Sequence, residues 1–145
     1  MTLELTLILG FLFHLMGDYI FQNDWMANEK TKHFLPAFIH ATIYSLPFLM
    51  VVNWRFWLII YITHFFIDRY RLAVYWIRLV NIKDYGRNYN DYYVSSWRFN
   101  DNKNFGYGKD KPVFISLWLM IIIDNSWHLV INSASIILSY YLGYN

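Results

Sequence analysis

Residues 61–71 read YITHFFIDRYR, and how this stretch is read decides the fold. It closes an apolar run that begins near Phe56, yet it sets His64 and Asp68 where a lipid-embedded helix ordinarily carries apolar side chains. The two lie four residues apart, so on a helix they share one face, about one turn from each other. Either the segment is not a membrane helix, or both polar groups face inward onto something that compensates them.

The rest of the chain favours the second alternative. Of its 145 residues, 57% are hydrophobic and 22% aromatic against 15% charged, which is too apolar for an ordinary soluble domain of this size. Such a domain leaves roughly a third of its unfolded-chain surface in water. The apolar residues are also blocked rather than scattered. Four segments, 3–21, 34–52, 56–76 and 112–142, approach or exceed the roughly 20 residues that cross a hydrocarbon core about 30 Å thick. The expected fold is therefore all-α: a polytopic membrane protein, built as a four-transmembrane-helix bundle in a single domain over 1–145, with a long loop at 77–111 between helices 3 and 4. Pro36 suits a first helical turn, and Pro47 predicts a kink within the second span. MTLELTLILGFLFHLMGD lacks the basic region and small-residue cleavage site of a signal peptide, so the first helix is expected to be retained.

Four crossings put both termini on one side and the 22–33 and 77–111 loops on the other. Eleven of the twelve Lys and Arg residues fall on the loop side, with Arg55 alone opposite, so that side is expected to be cytoplasmic and both termini to lie outside the inner membrane. The 77–111 loop is rich in Asn, Tyr, Lys and Asp. Its aromatics suit a lid or interfacial segment better than a disordered one.

The chemistry concentrates in the spans. HLMGD carries His14 and Asp18, HFFID carries His64 and Asp68, and DNSWH carries Asp124 and His128 in reverse order. Because the fourth helix runs opposite to the first and third, the reversal puts every Asp about one turn nearer the cytoplasm than its His. His40, one turn after Pro36, joins the same half, while His33 reads as a surface residue and Glu4 and Asp24 as solvated charges near helix ends. Intramembrane carboxylates cost about 2.5–3.5 kcal/mol each on insertion scales unless they pair or bind ions. No Lys or Arg is expected deep enough to pair with them, which leaves a cation as compensator. With no cysteine in the chain, a metal must sit on nitrogen and oxygen. The candidate ligands are His14, Asp18, His40, His64, Asp68, Asp124 and His128. They would hold one or two divalent ions, zinc first, with manganese, iron or nickel as alternatives. Asp18, Asp68 and Asp124 are the candidate catalytic groups, and Gln22 and Asn125 are expected to support the ligands from behind.

HLMGDYIFQNDWM, a mid-chain THFFID and a late DNSWH together resemble a family of small integral membrane proteins of unknown function found in bacteria and tailed phages. The asparagine- and tyrosine-rich loop ending NFGYGKDKP is more similar to phage-type members. The His and Asp pattern is also similar, more distantly, to membrane-bound metal-dependent hydrolases. The chemistry and depth of the His and Asp cluster lead to the expectation of a metal-dependent hydrolase acting on a lipid-linked or phosphoester substrate from the cytoplasmic leaflet, with membrane lipids as partners and no nucleic acid. Two other classes are open: a phage-type membrane protein that modulates a host protein partner around a structural metal, and a proton or divalent-metal transporter. An oligomer is compatible with each.

Overall fold

The computed structural model describes residues 1–81, 104–108 and 111–142. Every regular element among them is helical, and they fall into two compact units, Met1–Arg71 with Ser126–Asn145, and Leu72–Asn125.

The first unit opens with α1 (Leu3–Leu15), capped by the Thr2 hydroxyl, which accepts from the Leu5 amide. A π-helical turn, Met16–Ile20, follows directly. Asn23 caps the short α2 (Asp24–Glu29) through a 2.9 Å bond from the Met26 amide. α3 (Phe34–Ser45) carries Pro36 in its first turn and stops just before Pro47, whose ring and missing N–H cannot continue an α-helix. The chain tightens there into a 3-10 turn, Leu46–Met50, so the kink expected at Pro47 takes this form. Asn53 caps α4 (Trp54–Tyr70), and Arg71 ends it in the left-handed conformation, φ 48°, with its amide bonded to the Asp68 carbonyl. The apolar run read as one helix over 56–76 is thus two helices, because a residue with positive φ cannot propagate the α-helical ladder.

Tyr44, Phe48, Ile60 and Ile136 form the fully buried core of this unit, joined by Val51, Val52 and Phe56. Two polar contacts tie its far end together: the Trp57 indole donates to the Ser45 carbonyl at 3.0 Å, and the Asn53 amide donates to Ser139 Oγ at 3.1 Å. Around this core the usual distribution is inverted. Thr6, Ser45, Asn132, Ser135 and Ser139 are buried, whereas Ile8, Phe11, Ile62, Phe66, Val130 and Leu138 lie exposed. Buried polar groups and exposed large apolar ones are the informative departures from a soluble pattern.

In the second unit, α5 (Leu72–Val80) buries Ala73, Val74 and Ile77 along one face. Gly106, at φ 87°, fits against it because a Cβ there would lie 2.8 Å from the Val74 carbonyl oxygen. Asn104 Nδ2 donates to the Gly108 and Lys111 carbonyls just before α6 (Val113–Tyr141), the long helix whose last part belongs to the first unit. Residues 82–103 and 109–110, most of the expected 77–111 loop, lie outside the described residues.

Two helices among the described residues are long and apolar enough to cross a membrane, Leu3–Ile20 and Val113–Tyr141. The other two expected spans are shorter, Phe34–Met50 with its 3-10 end and the 17-residue α4.

Candidate metal centre

His64, in the penultimate turn of α4, is the hub. Its Nε2 lies 3.1 Å from His40 Nε2 on α3 and 3.2 Å from Asp68 Oδ2, one turn further along α4. His40 Nε2 in turn lies 2.9 Å from the same Asp68 oxygen. These three donors form a closed triangle, and their side chains are almost completely buried. Asp18 adds a fourth donor: its Oδ1 is 3.3 Å from His40 Nε2 and 3.7 Å from His64 Nε2.

Local chain geometry aims Asp18 there. It sits within the π-helical turn, where the extra residue rotates the following side chains relative to α1. The turn can approach α3 only because Gly17 has no side chain, since a Cβ there would lie 2.5 Å from Tyr44 Cδ2 and 3.1 Å from Tyr44 Cα. Tyr44 also stacks flat on His64, ring centroids 3.5 Å apart and planes 11° from parallel, which fixes the orientation of the hub imidazole.

The four donor atoms of Asp18, His40, His64 and Asp68 all lie within 4.8 Å of one another. A tetrahedral ion with bonds of about 2.0–2.1 Å spaces its ligands about 3.3–3.4 Å apart. Five of the six donor separations here run from 2.9 to 3.7 Å and bracket that value. Asp18 Oδ1 and His40 Nδ1 are buried without a hydrogen-bond partner, and for a carboxylate oxygen facing two imidazole nitrogens a bound cation, or water carried on it, would supply the missing contact. The His and Asp groups are therefore positioned to hold a metal ion.

A second layer holds these groups in place. His128 on α6 lies with Nε2 3.2 Å from Asp68 Oδ1 and Nδ1 3.2 Å from His64 Nδ1. His14 Nδ1 lies 3.3 Å from Asp18 Oδ2 and 3.0 Å from the Tyr44 hydroxyl, which accepts a 2.7 Å bond from Asn132 Nδ2. His14 and His128 thus flank the four-donor group. Asp124 and Asn125 lie on α6 in the second unit, where Asn125 Nδ2 donates to the Ile121 carbonyl one turn back. His33 is exposed and reaches Glu29 at 3.4 Å. Beside it, the hydrogen bond from Lys32 holds the Glu29 carboxyl below its ordinary range.

One expectation is corrected. The sequence offered no Lys or Arg deep enough to pair with the aspartates, but Lys30 Nζ lies 2.7 Å from Asp68 Oδ2 and 3.3 Å from His40 Nε2, and donates to Gln22 Oε1 at 2.6 Å. Lys30 ends α2, and the Arg69 guanidinium holds the segment just beyond it by donating to the Thr31 and Lys32 carbonyls. The long flexible stem then carries the ammonium inward. Even so, one ammonium faces two carboxylates, Asp18 and Asp68, so with neutral imidazoles this group keeps one net negative charge. Sequence reasoning missed Lys30 because it is 38 positions from Asp68, and missed Tyr44 because one tyrosine among thirteen carries no pattern.

Fold and site together define a helical protein with a buried His/Asp cluster able to hold a metal ion. The chain belongs to the family described as protein of unknown function DUF3307, whose model matches residues 6–106. That span includes Asp18, His40, His64 and Asp68. No curated protein and no solved structure matches the chain.

Proposed function

We propose that this protein is a membrane-embedded metal-dependent hydrolase, holding one divalent ion, zinc by preference, on His40, His64 and Asp68 and acting on a lipid-linked or phosphoester substrate. One observation carries the reading: three almost fully buried donors form a tight triangle, while the fourth, Asp18, stands further off and is 12% exposed. Catalytic zinc sites keep three protein ligands and leave a fourth position to water or substrate. Bound there, the ion would lower the pKa of a water toward about 7 and polarise a phosphoryl or carbonyl oxygen. Asp18 Oδ1, which lacks a hydrogen-bond partner, would take a proton from that water, with His14 orienting the carboxylate from its other oxygen. His128 steadies Asp68 in the same way.

The membrane setting is supported by the inverted distribution of polar and apolar side chains and by the two long apolar helices. A four-span arrangement requires 34–50 and α4 to cross as well. At 1.5 Å per residue α4 reaches about 25 Å, a shortfall that local bilayer thinning and snorkelling accommodate. In this reading the basic loops face the cytoplasm and draw an anionic headgroup toward the site.

The test is elemental analysis of detergent-purified protein beside His64→Ala, with folding followed by chromatography. About one equivalent of metal, removable by chelator and absent from folded His64→Ala, is the expected result. A well-folded wild type that takes up neither zinc nor manganese would end the proposal.

A second reading, movement of protons or metal ions, draws on the buried Asn132, Ser135 and Ser139, which continue along α6 from His128 at helical spacing. Ion flux in proteoliposomes that is lost in His64→Ala would favour it.

A further inference from the structure

Lys30 is the one cation among the described residues that reaches into the four-donor group, and it does so at the two atoms an ion needs most. Its ammonium lies 2.7 Å from Asp68 Oδ2 and 3.3 Å from His40 Nε2. His40 Nε2 has a single lone pair, which serves either a hydrogen bond or a metal. An ion bound about 2.0 Å from Asp68 Oδ2 would lie no more than about 4.7 Å from Nζ where the ammonium now sits, placing two positive centres together in a buried site. Each cation then weakens the other's hold on Asp68 Oδ2.

We infer that Lys30 is a built-in competing cation: its ammonium and a divalent metal ion take the same place in the cluster by turns, and metal binding drives Lys30 outward. The inference rests on the metal reading above. Three features fit exchange rather than a fixed salt bridge. The Lys30 side chain is 17% exposed while Asp68 is 4% exposed, so the ammonium has a way out that the carboxylate lacks. The backbone beyond Lys30 is held independently by Arg69, so the four-carbon stem can swing without the loop moving. Gln22 Oε1, 2.6 Å from Nζ, belongs to no donor pair of the cluster and remains as an acceptor for the displaced ammonium. The arrangement also explains how two close carboxylates are tolerated before any metal arrives, since the lysine neutralises one of them.

The experiment uses full-length, chelator-stripped protein in detergent, titrated with zinc and separately with manganese, wild type beside Lys30→Met. Each titration is paired with acylation of Lys30 by an amine-reactive reagent, read by mass spectrometry. If the lysine-in arrangement is about nine-tenths populated, the metal-competent fraction is about one tenth, and Lys30→Met binds about tenfold more tightly. In wild type, Lys30 acylation rises several-fold at saturating metal. Equal or weaker binding by folded Lys30→Met, or acylation that metal leaves unchanged, overturns the inference while the metal centre stands. Absence of binding by both folded proteins overturns the metal centre itself, a distinct result. Should Lys30→Met fail to fold, the acylation of wild type decides alone.

Discussion

Gly17→Ala isolates the packing that builds the site. The added Cβ would lie 2.5 Å from Tyr44 Cδ2 and 3.1 Å from Tyr44 Cα, where ordinary contact begins near 3.4 Å. The ring must therefore retreat by about 0.9 Å, and the α3 backbone by about 0.3 Å, to relieve the overlap. Neither movement is easy. The Tyr44 ring is fully buried, stacked on His64, and its hydroxyl is bonded to Asn132 and close to His14. Overpacking of this kind costs about 1–3 kcal/mol. It also separates the turn that carries Asp18 from the helix that carries His40, lengthening a 3.3 Å contact that is already longer than any side of the His40, His64 and Asp68 triangle. The assay is thermal unfolding in detergent with metal affinity measured in parallel, and the control is Gly10→Ala. There the new Cβ meets Ile136 Cδ1 at 2.3 Å, the end of a buried side chain rather than backbone, so a cost at the low end of overpacking, about 1 kcal/mol, is expected. Gly17→Ala should lower the unfolding midpoint by several degrees and weaken metal binding, with Gly10→Ala less destabilised and near wild type in metal binding. Equal behaviour of the two variants would refute the claim that contact between the π-helical turn and Tyr44 positions Asp18.

Two other substitutions separate positioning from ligation. Tyr44→Phe keeps the ring on His64 but removes the oxygen that accepts from Asn132 and meets His14, so a stability loss of about 2–4 kcal/mol is expected with metal content unchanged; metal loss as complete as in His64→Ala would contradict it. Arg69→Met removes two charge-assisted bonds to the Thr31 and Lys32 carbonyls, about 1–2 kcal/mol after allowing for their partial exposure, and should speed amide hydrogen exchange around Lys30 about 5–30-fold. Unchanged exchange there would show that the loop is held by other contacts.

What was legible in the sequence follows a physical divide. Apolar blocks and helix punctuation act over a few residues, so the helices and the interruption at Pro47 could be read from the chain itself. The His and Asp spacing of four likewise predicts one shared face, and Asp18, His40, His64 and Asp68 do converge. Contacts that depend on how separate helices meet left no such trace. Lys30 reaches Asp68 across 38 positions, and the stacking of Tyr44 on His64 depends on where α3 sits against α4. The break at Arg71 was hidden for another reason: arginine has no marked preference for a positive φ, and the apolar run continues past it to Trp76.

Asp68 is where local rules and the native arrangement conflict most. It occupies the last turn of α4, where the partial negative charge of the helix end disfavours a carboxylate and favours a cation. It is also 4% exposed, and burial further opposes its charge. Nothing in helix stability calls for an aspartate at this position; an alanine there would avoid both penalties. Its charge is accommodated only because α2, α3 and α6 deliver Lys30, His40 and His128 to its two oxygens, with His64 from its own helix. Asp18 repeats the pattern in an interrupted helix, with a buried oxygen that the described residues leave without a hydrogen bond. When two carboxylates each violate the preferences of their own segment and converge on the same imidazoles, the compensation lies in the cluster they form together rather than in the helices that carry them.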